Sequence, residues 1–319
     1  MLKYFIAIFI FCLVLFLYLH IQYHLKTSND LEVYTIERPS KETLEEICNI
    51  RQPVVFEFKN NRLLESCNLA NLDDNYGAFD IQVRDVTNKD ENSELYLPFL
   101  LKEAINIFGE DKNEKYISEK NQDFLKETGA IKNYNYNDAF LRPPLVSKCI
   151  YDFMTGSVGS KTPLRYNINY RNFYYNTSGR VNIKLIPPSS SKYLNPVKDY
   201  DNFEFSSPVN VWDIQQEYKA DFDKVKVLDV TLNKGEIIFI PAYWWYSIEY
   251  ETVSSICAFK YRTFMNSLAI SPEIVLYMLQ GQNIKRDTVN KVDMTGGKVD
   301  ITDKKEENSN EKDKKKISI

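Results

Sequence analysis

The sequence predicts a mainly β domain with flanking α-helices, preceded by one transmembrane helix. Three observations carry this prediction: an uncharged apolar run over Tyr4–Tyr23, strand patterns over residues 53–58 and 164–176, and two further strand patterns on either side of Pro241. The chain has 319 residues, of which 44% are hydrophobic and 14% aromatic. It therefore has enough apolar side chains for one large β core.

Four segments are predicted along the chain. They are a membrane anchor over residues 1–24, the β domain over 25–270, a C-terminal helix over 271–294 and a disordered charged tail over 295–319. Ser271 as cap and Pro272 in the first turn predict the start of the last helix. The tail stretch KKEENSNEKDKKK has mixed charges and no apolar residues, so it cannot bury enough surface to fold.

The apolar run Tyr4–Tyr23 is twenty residues long, which corresponds to roughly 30 Å of helix, enough to cross a bilayer. A cleaved signal peptide is the alternative, but no small-x-small cleavage site follows the run. We therefore expect an uncleaved, single-pass anchor in contact with membrane lipid. The polar rings near its end suit the interfacial layer: Tyr18, His20, Tyr23 and His24. Basic residues flank both ends, so the orientation stays open.

Local patterns within the β domain predict strands and helices in alternation. The expected strands are Glu32–Ile36, Pro53–Phe58 and Gly77–Val86, and the expected helices are Glu42–Cys48 with Ser40 as cap, Leu95–Phe108, Ile117–Glu127 and Ser271–Gly281. The net charge of −4 gives no general attraction to nucleic acid, so no nucleic-acid partner is expected.

The four cysteines of the domain show no Cys-x-x-Cys spacing, which argues against a zinc site of that kind. They are predicted to be core residues, or to pair if the domain lies in an oxidising lumen: Cys48, Cys67, Cys149 and Cys257. The sequon Asn176-Thr177-Ser178 would be modified only in that lumenal topology.

The most specific stretch of the chain is Lys234–Glu249. It contains a turn at Lys234-Gly235, an apolar strand through Ile240, a corner at Pro241 and two adjacent indoles before Tyr246. This stretch resembles the distal motif of the cupin-like, JmjC-like family of iron and 2-oxoglutarate oxygenases, in which a metal-binding His follows Pro-x-x-Trp-Trp. The resemblance implies a double-stranded β-helix, or jelly roll, over roughly residues 30–265.

A second stretch, Thr162–Arg180 followed by Leu185–Pro188, resembles the part of the family that carries a His-x-Asp pair. Counting forward from Thr162 places that pair at Arg165 and Asn167. Counting back from Asn172 places it at Tyr166 and Ile168. The family's third ligand corresponds to Tyr246, so neither register supplies a metal site, because Arg165 would repel iron and the other positions offer weak ligands or none.

Histidine content leads to the same conclusion without any resemblance. The chain contains only His20 and His24, both in or beside the anchor, so the domain has no histidine for a two-His, one-carboxylate site or for a Ser-His-Asp relay. The family's 2-oxoglutarate-binding Lys corresponds to Val181, and Arg180 and Lys184 stand at odd offsets that point to the opposite strand face. We expect no metal, no cofactor and no catalytic residues.

The former cavity could still bind a ligand through Arg165, Asn172, Tyr174 or Trp245. Arg165 is predicted to form an ion pair at the mouth of the barrel, or to bind an anion. The indoles of Trp244 and Trp245 are predicted to pack in the core with their N–H groups bonded to nearby acceptors, or to stack on a ligand.

Three functions are compatible with these patterns. The first is an inactive cupin-like domain that binds or scaffolds, with a protein partner as one candidate. The second is an oxygenase with unfamiliar ligands, or a metal-independent enzyme in the same cavity. The third is a purely structural membrane protein. The absence of histidine from the domain favours the first and third, and we predict the first.

Overall fold

The computed structural model describes residues 2–87 and 96–283. The predicted tail over 295–319 and the second part of the predicted C-terminal segment 271–294 lie outside these residues. The strands are β1 (Tyr34–Ile36), β2 (Val54–Glu57), β3 (Asp80–Asp85), β4 (Leu97–Leu100), β5 (Tyr116–Ser118), β6 (Val146–Gly156), β7 (Arg165–Tyr166), β8 (Arg171–Ser178), β9 (Val181–Ile186), β10 (Val197–Asp199), β11 (Glu204–Ser206), β12 (Leu228–Leu232), β13 (Glu236–Phe239), β14 (Trp245–Tyr250) and β15 (Ser255–Thr263).

The helices lie mostly before the central strands and after the last strand. They are α1 (Leu2–Leu25), α2 (Lys41–Ile50), α3 (Asn61–Ser66), α4 (Leu69–Tyr76), α5 (Leu101–Glu110), α6 (Gln122–Glu127), α7 (Ile131–Asn137), α8 (Lys219–Phe222), α9 (Phe264–Ala269) and α10 (Ser271–Asn283), with a 3₁₀ helix over Pro188–Tyr193. Ser40 caps α2 as predicted, because its side chain accepts a hydrogen bond from the Thr43 backbone N–H.

Two sheets form the domain. A nine-stranded sheet has the order β1-β2-β13-β8-β15-β6-β5-β3-β4, and a six-stranded sheet has the order β10-β11-β7-β14-β9-β12. Apolar side chains from one face of each sheet meet between them, among them Tyr174, Ile238, Ile183 and Tyr246. We call the space between the two sheets the barrel interior. The predicted mainly β fold with flanking helices is confirmed.

Alternation along β8 divides the core into two layers. Tyr174 points into the barrel interior, whereas Phe173 and Tyr175 point to the other face of the nine-stranded sheet. Helices α2 to α7 cover that outer face through buried residues such as Leu63 and Phe108. The sheet is therefore buried on both faces, which explains why the three central residues of β8, Phe173 to Tyr175, are all aromatic.

Two predicted helices begin as strands. Residues 97–100 form β4, which pairs with β3, and the helix starts only at Leu101. Residues 116–118 form β5, which pairs with β3 and β6, and the next helix starts at Gln122. Short apolar runs suit either structure, and here long-range pairing with a strand determines the outcome.

Helix α1 includes the predicted anchor and extends to Leu25. It is long and apolar enough to cross a membrane, and its most apolar window is not buried against the rest of the chain. That test alone is also passed by a signal sequence, so it leaves the choice between an anchor and a signal sequence open.

The sequon lies inside the fold. Asn176 is fully buried, and its Nδ2 donates hydrogen bonds to Gly179 O and Leu232 O, each at 3.0 Å. In the folded domain this side chain cannot receive a glycan, whichever side of the membrane the domain occupies.

Glycine at position 179 is required by the turn between β8 and β9. Its φ of 77° is left-handed, and an added Cβ would stand 2.9 Å from Ser254 Cα and 2.6 Å from Thr252 Oγ1. Gly235 also has a left-handed φ, of 90°, but a Cβ there would meet nothing within 4 Å. We predict that Gly235→Ala costs about 1–2 kcal/mol from backbone strain alone, and that Gly179→Ala costs about 3 kcal/mol or more because a clash adds to the strain.

Urea unfolding of the full-length chain in detergent micelles measures both changes. Gly235→Ala is the matched control, because it shares the left-handed backbone and lacks the clash. Equal shifts in the two unfolding midpoints would contradict the packing assigned to the β8–β9 turn.

Candidate functional site

Arg165 and Tyr246 face each other across neighbouring strands. They are directly paired residues of β7 and β14, and paired residues of an antiparallel ladder share one face. Both side chains point into the barrel interior, and Asn167 joins them by donating from Nδ2 to Tyr246 Oη at 3.1 Å. The three positions named by the forward register therefore lie together.

The two residues of the backward register, Tyr166 and Ile168, point away from the barrel interior. Tyr166 is paired with Trp245, and its ring lies 5.2 Å from the ring of Phe205 in a stacked arrangement. Ile168 packs in a cluster with Phe205 and Ile270, on the outer face of the six-stranded sheet. Ile168 and the partly buried Tyr166 thus pack in a different layer and do not point into the barrel interior.

Arg165 and Glu119 form a buried ion pair. Arg165 is 8% exposed and Glu119 is 3% exposed. The Arg165 guanidinium donates two hydrogen bonds to the Glu119 carboxylate, one from Nη1 at 2.7 Å and one from Nη2. Tyr96 Oη donates to the same carboxylate at 2.5 Å. This two-pronged arrangement compensates for the cost of burying both charges.

The environment keeps both partners ionised. Burial alone would raise the pKa of the Glu119 carboxyl, but the Arg165 guanidinium and the nearby Arg84 lower it below its ordinary value. Burial alone would lower the pKa of Arg165, and the Glu119 carboxylate raises it well above its ordinary value. The site therefore contains a permanent cation at the position that the forward register assigns to a neutral imidazole.

A second ion pair lies beside the first. Glu204 contacts Arg84 at 3.2 Å and Lys120 at 3.9 Å, and the Arg84 guanidinium lies 5.7 Å from the centre of the Tyr96 ring. Together with Arg165 and Glu119, these side chains carry three positive charges and two negative charges. The net positive charge of this group opposes the entry of a further cation such as Fe²⁺.

Three polar side chains, Asn167, Tyr174 and Tyr246, hydrogen-bond to one another in the barrel interior. Asn167 Nδ2 donates to Tyr174 Oη at 2.7 Å, and Tyr174 Oη donates to Tyr246 Oη at 2.8 Å. Burial raises the pKa of the Tyr174 phenol well above its ordinary value, so the hydroxyl stays neutral. Neutral phenol and amide groups are poor ligands for Fe²⁺.

The residues present do not fit an iron and 2-oxoglutarate site. Across residues 2–87 and 96–283, no group of three or more His, Cys, Asp or Glu is arranged to hold a metal. Val181, which the resemblance places at the family's lysine position, is buried in the barrel interior. On the sheet surface Arg180 pairs with Glu251 at 3.2 Å and Lys184 pairs with Asp229 at 2.8 Å.

The predicted cavity residues do not form one surface. Asn172 is fully buried and its Nδ2 donates to Asn169 O and Ile240 O, each at 3.2 Å. Trp245 lies on the outer face of its sheet, where Nε1 donates to Ser191 Oγ at 2.7 Å. Only Arg165 and Tyr174 point into the barrel interior near Tyr246. Trp244 also packs there, but its Nε1 has no acceptor among the described residues. The expectation that each indole N–H finds an acceptor therefore holds for Trp245 and fails for Trp244.

A polar cavity of about 400 Å³ adjoins this site. Tyr96 and Lys120 line it, and because Tyr96 also bonds Glu119, the tyrosine separates the cavity from the Arg165–Glu119 pair. Arg165, Asn172, Tyr174 and Trp245 are not among its lining residues.

Sequence reasoning missed Glu119, Tyr96 and Glu204. Glu119 lay inside the predicted helix Ile117–Glu127, and in the structure it follows β5 in a loop. A lone Arg in a buried strand demands an acidic partner, which is a usable signal. The identity of that partner, 46 residues away, depends on the fold.

Comparisons with known proteins agree with this architecture. The profile of the cupin-like domain family matches residues 39–267. HSPB1-associated protein 1 from Rattus norvegicus and from Homo sapiens is 30% identical over 95 residues, which is 30% of this chain and 20% of each relative. JmjC domain-containing protein D from Dictyostelium discoideum is 32% identical over 94 residues, 30% of this chain and 21% of that protein. The matched segment thus spans about a fifth of each relative.

We predict strong coupling between Arg165 and Glu119. Arg165→Met or Glu119→Leu alone leaves a buried charge without its partner and is expected to cost about 3–5 kcal/mol of unfolding free energy. The double variant is expected to cost less than either single variant. Arg180→Met, which breaks the exposed pair with Glu251, is the control and should cost about 0–1 kcal/mol.

The measurement is urea unfolding of the full-length chain in micelles, repeated as the pH is lowered. Because the folded-state pKa of Glu119 lies below its ordinary value of about 4.3, its stabilising contribution is complete above that pH and declines as the pH falls towards the folded-state pKa. The difference in unfolding free energy between wild type and Glu119→Leu should therefore become smaller as the pH is lowered below the ordinary pKa of Glu119. Additive losses, or a difference that grows on acidification, would contradict the ion pair.

Proposed function

The chain belongs to the cupin-like domain family, and we propose that it is a membrane-anchored member that has lost iron and 2-oxoglutarate chemistry and acts by binding protein. The observation that carries the proposal is the replacement of the ligand positions. Arg165 is paired with Glu119, and Asn167 and Tyr246 are hydrogen-bonded to each other and to Tyr174. These contacts pair the side chains with one another, leaving Arg165 Nε without an acceptor among the described residues, and they supply neither an imidazole nor a free carboxylate.

Protein binding is the role that this arrangement leaves open. A jelly roll with a filled interior keeps its outer surfaces and loops for contacts, and these surfaces do not depend on a metal. The relatives named HSPB1-associated protein 1 take that name from association with another protein, HSPB1. We infer that this chain likewise has a protein partner, held near a membrane by α1.

The end of α1 supports an anchor that is retained. His24 is buried against the domain, with Nε2 within 3.2 Å of Thr263 Oγ1, and Arg51 Nη2 donates to Tyr23 O at 3.5 Å. Arg51 thereby places a cation at the carbonyl end of the helix, where the helix dipole favours it. Cleavage after α1 would remove these partners from buried domain residues.

We predict that full-length protein in micelles, loaded anaerobically with Fe²⁺, keeps only trace iron after desalting and releases no succinate from 2-oxoglutarate above a metal-free control. Tyr246→His alone should behave in the same way, because Arg165 and Asn167 still provide no ligand. Stoichiometric iron with turnover in the wild type would overturn the proposal and establish an oxygenase with unfamiliar ligands.

A combined variant tests whether these positions correspond to the lost metal site. Arg165→His, Asn167→Asp and Tyr246→His restore the ligand types of the family, and Glu119→Gln removes the charge that Arg165 neutralised. This variant is expected to retain near-stoichiometric iron once circular dichroism shows that it is folded. A folded variant with trace iron would contradict the assignment of the three positions.

We predict that the full-length chain stays in the membrane pellet after alkaline carbonate extraction and keeps its original N-terminus. Phe11→Arg with Val14→Arg places two charges near the middle of α1, at about 2.5–3.5 kcal/mol each, and should release the protein. Phe11→Leu with Val14→Leu is the matched control and should stay in the pellet. Release of the wild type, or a mature N-terminus beyond residue 25, would refute the anchor.

A further inference from the structure

The end of α1 is held against the domain by residues from three separate segments. His24 contacts Thr263, its ring lies 5.1 Å from the ring of Tyr170, and Arg51 lies over the Tyr23 ring at 5.3 Å. These contacts leave no free linker between the helix and the point where it meets the domain. The direction in which α1 leaves the domain is therefore set by packing.

Helix length then places the contacted surface at the membrane boundary. The 24 residues of α1 span about 36 Å, whereas the hydrocarbon layer is about 30 Å thick. If α1 crosses the bilayer, its last turns lie at headgroup depth. Domain residues that lie beside Leu19 and His20 must lie at that depth as well.

An apolar groove of about 450 Å³ is found at this place. We call it the junction groove. One side is formed by Leu19, His20, Tyr23 and His24 of α1, and the other by Pro144, Leu145, Tyr170, Thr263, Phe264 and Met265. Its domain side joins the loop before β6 to the start of α9, and Phe264 N–H donates to Leu145 O at 3.3 Å.

Two apolar residues of the junction groove have side chains that are mostly exposed. Leu145 is 78% exposed and Phe264 is 63% exposed. Leu145 also has a φ of 54°, a left-handed conformation that is strained for a residue with a Cβ. Exposure of both side chains to water is unfavourable, and a lipid environment would remove that cost.

Helix α10 presents a second apolar face near the same corner. It follows α9 directly, and it packs inward through Ile274 and through Tyr277, whose ring lies 5.1 Å from that of Phe203. Val275, Leu276 and Leu279 lie on the opposite face and Met278 lies on the flank beside Ile274, and all four are apolar and about half exposed. Within the described residues nothing covers this face.

Basic residues stand where lipid phosphates would be. Lys26 follows α1 directly and is exposed, and Lys148 is exposed on β6, three residues or about 10 Å from Leu145. Lysine at headgroup depth is favoured by anionic lipid, at about 1 kcal/mol for each residue. Exposed apolar side chains flanked by lysines suit contact with a bilayer surface better than contact with a groove of another protein.

We propose that Leu145, Phe264 and the exposed face of α10 insert into the interfacial layer of the bilayer that α1 crosses, so that the domain lies on the membrane surface. This inference rests on the proposed anchor. It assigns to the domain a fixed orientation, with the junction groove facing lipid and the far end of β6 facing water.

Labelled full-length protein in vesicles of phosphatidylcholine and phosphatidylserine tests the orientation. Cys12→Ala and Cys149→Ala remove the accessible thiols, and Cys48, Cys67 and Cys257 are buried. Single changes Leu145→Cys, Phe264→Cys and Met278→Cys then carry an environment-sensitive fluorophore, with Leu19→Cys on α1 as the membrane reference. Val158→Cys is the matched control, because Val158 is 46% exposed and lies beyond the opposite end of β6, roughly 36 Å away.

Nitroxide lipids should quench the labels at 145, 264 and 278 as strongly as the label at 19, and should leave the label at 158 as bright as in nitroxide-free vesicles. If the label at 19 is quenched while those at 145, 264 and 278 match the label at 158, the surface contact is wrong and the anchor stands. If a protein partner or a second copy covers α10, the label at 278 alone stays unquenched, which overturns the proposal for α10. If the label at 19 is not quenched, the anchor itself fails.

Discussion

The buried pair of Arg165 and Glu119 constrains the rest of the site. An arginine cannot lose its charge in a protein, so a position inside the barrel requires a carboxylate at bonding distance. Glu119 meets this requirement from the loop after β5, and it thereby ties the nine-stranded sheet to β7 of the six-stranded sheet. Tyr96 adds a third hydrogen bond and, with the Arg84–Glu204 pair beside it, closes the side of the barrel that faces the polar cavity.

On the proposed function, the same constraint distinguishes this domain from an iron oxygenase with damaged ligands. Loss of one ligand would leave an open position that another side chain or a water could fill. Here the replacements form a consistent set, because the cation has its anion and the asparagine and tyrosines bond to one another. Restoring a metal would require removal of Arg165, and that change leaves Glu119 buried without a partner. On that proposal, the filled interior is stabilised by the residues that exclude the chemistry.

Local patterns in the sequence were sufficient for the mainly β fold, for the Ser40 cap and for the strands around Tyr174 and Tyr246, because alternation and turn residues are local properties. They were insufficient at β4 and β5, where short apolar runs fit helix or strand and pairing with β3 decides. The choice of register was also nonlocal. Only the pairing of Arg165 with Tyr246 shows that Arg165 and Asn167, rather than Tyr166 and Ile168, face the interior. The partner Glu119 could be anticipated in kind, as a buried acid, but its position depends on the fold.

The segment between β7 and β8 joins the altered site to the base of α1. Asn167 bonds inside the barrel, Asn169 Oδ1 accepts from Arg262 Nε at 2.6 Å, and Tyr170 packs against His24. Arg171 then holds the segment to α2 through Cys48 O and Asn49 Oδ1, at 2.6 and 2.7 Å. Residues 167–171 therefore make contacts in the barrel interior, on the outer sheet face and with the helices α1 and α2. A shift of this segment to rebuild a ligand pair would disturb the contact with α1, so the geometry that fills the barrel also fixes how the domain meets its helix.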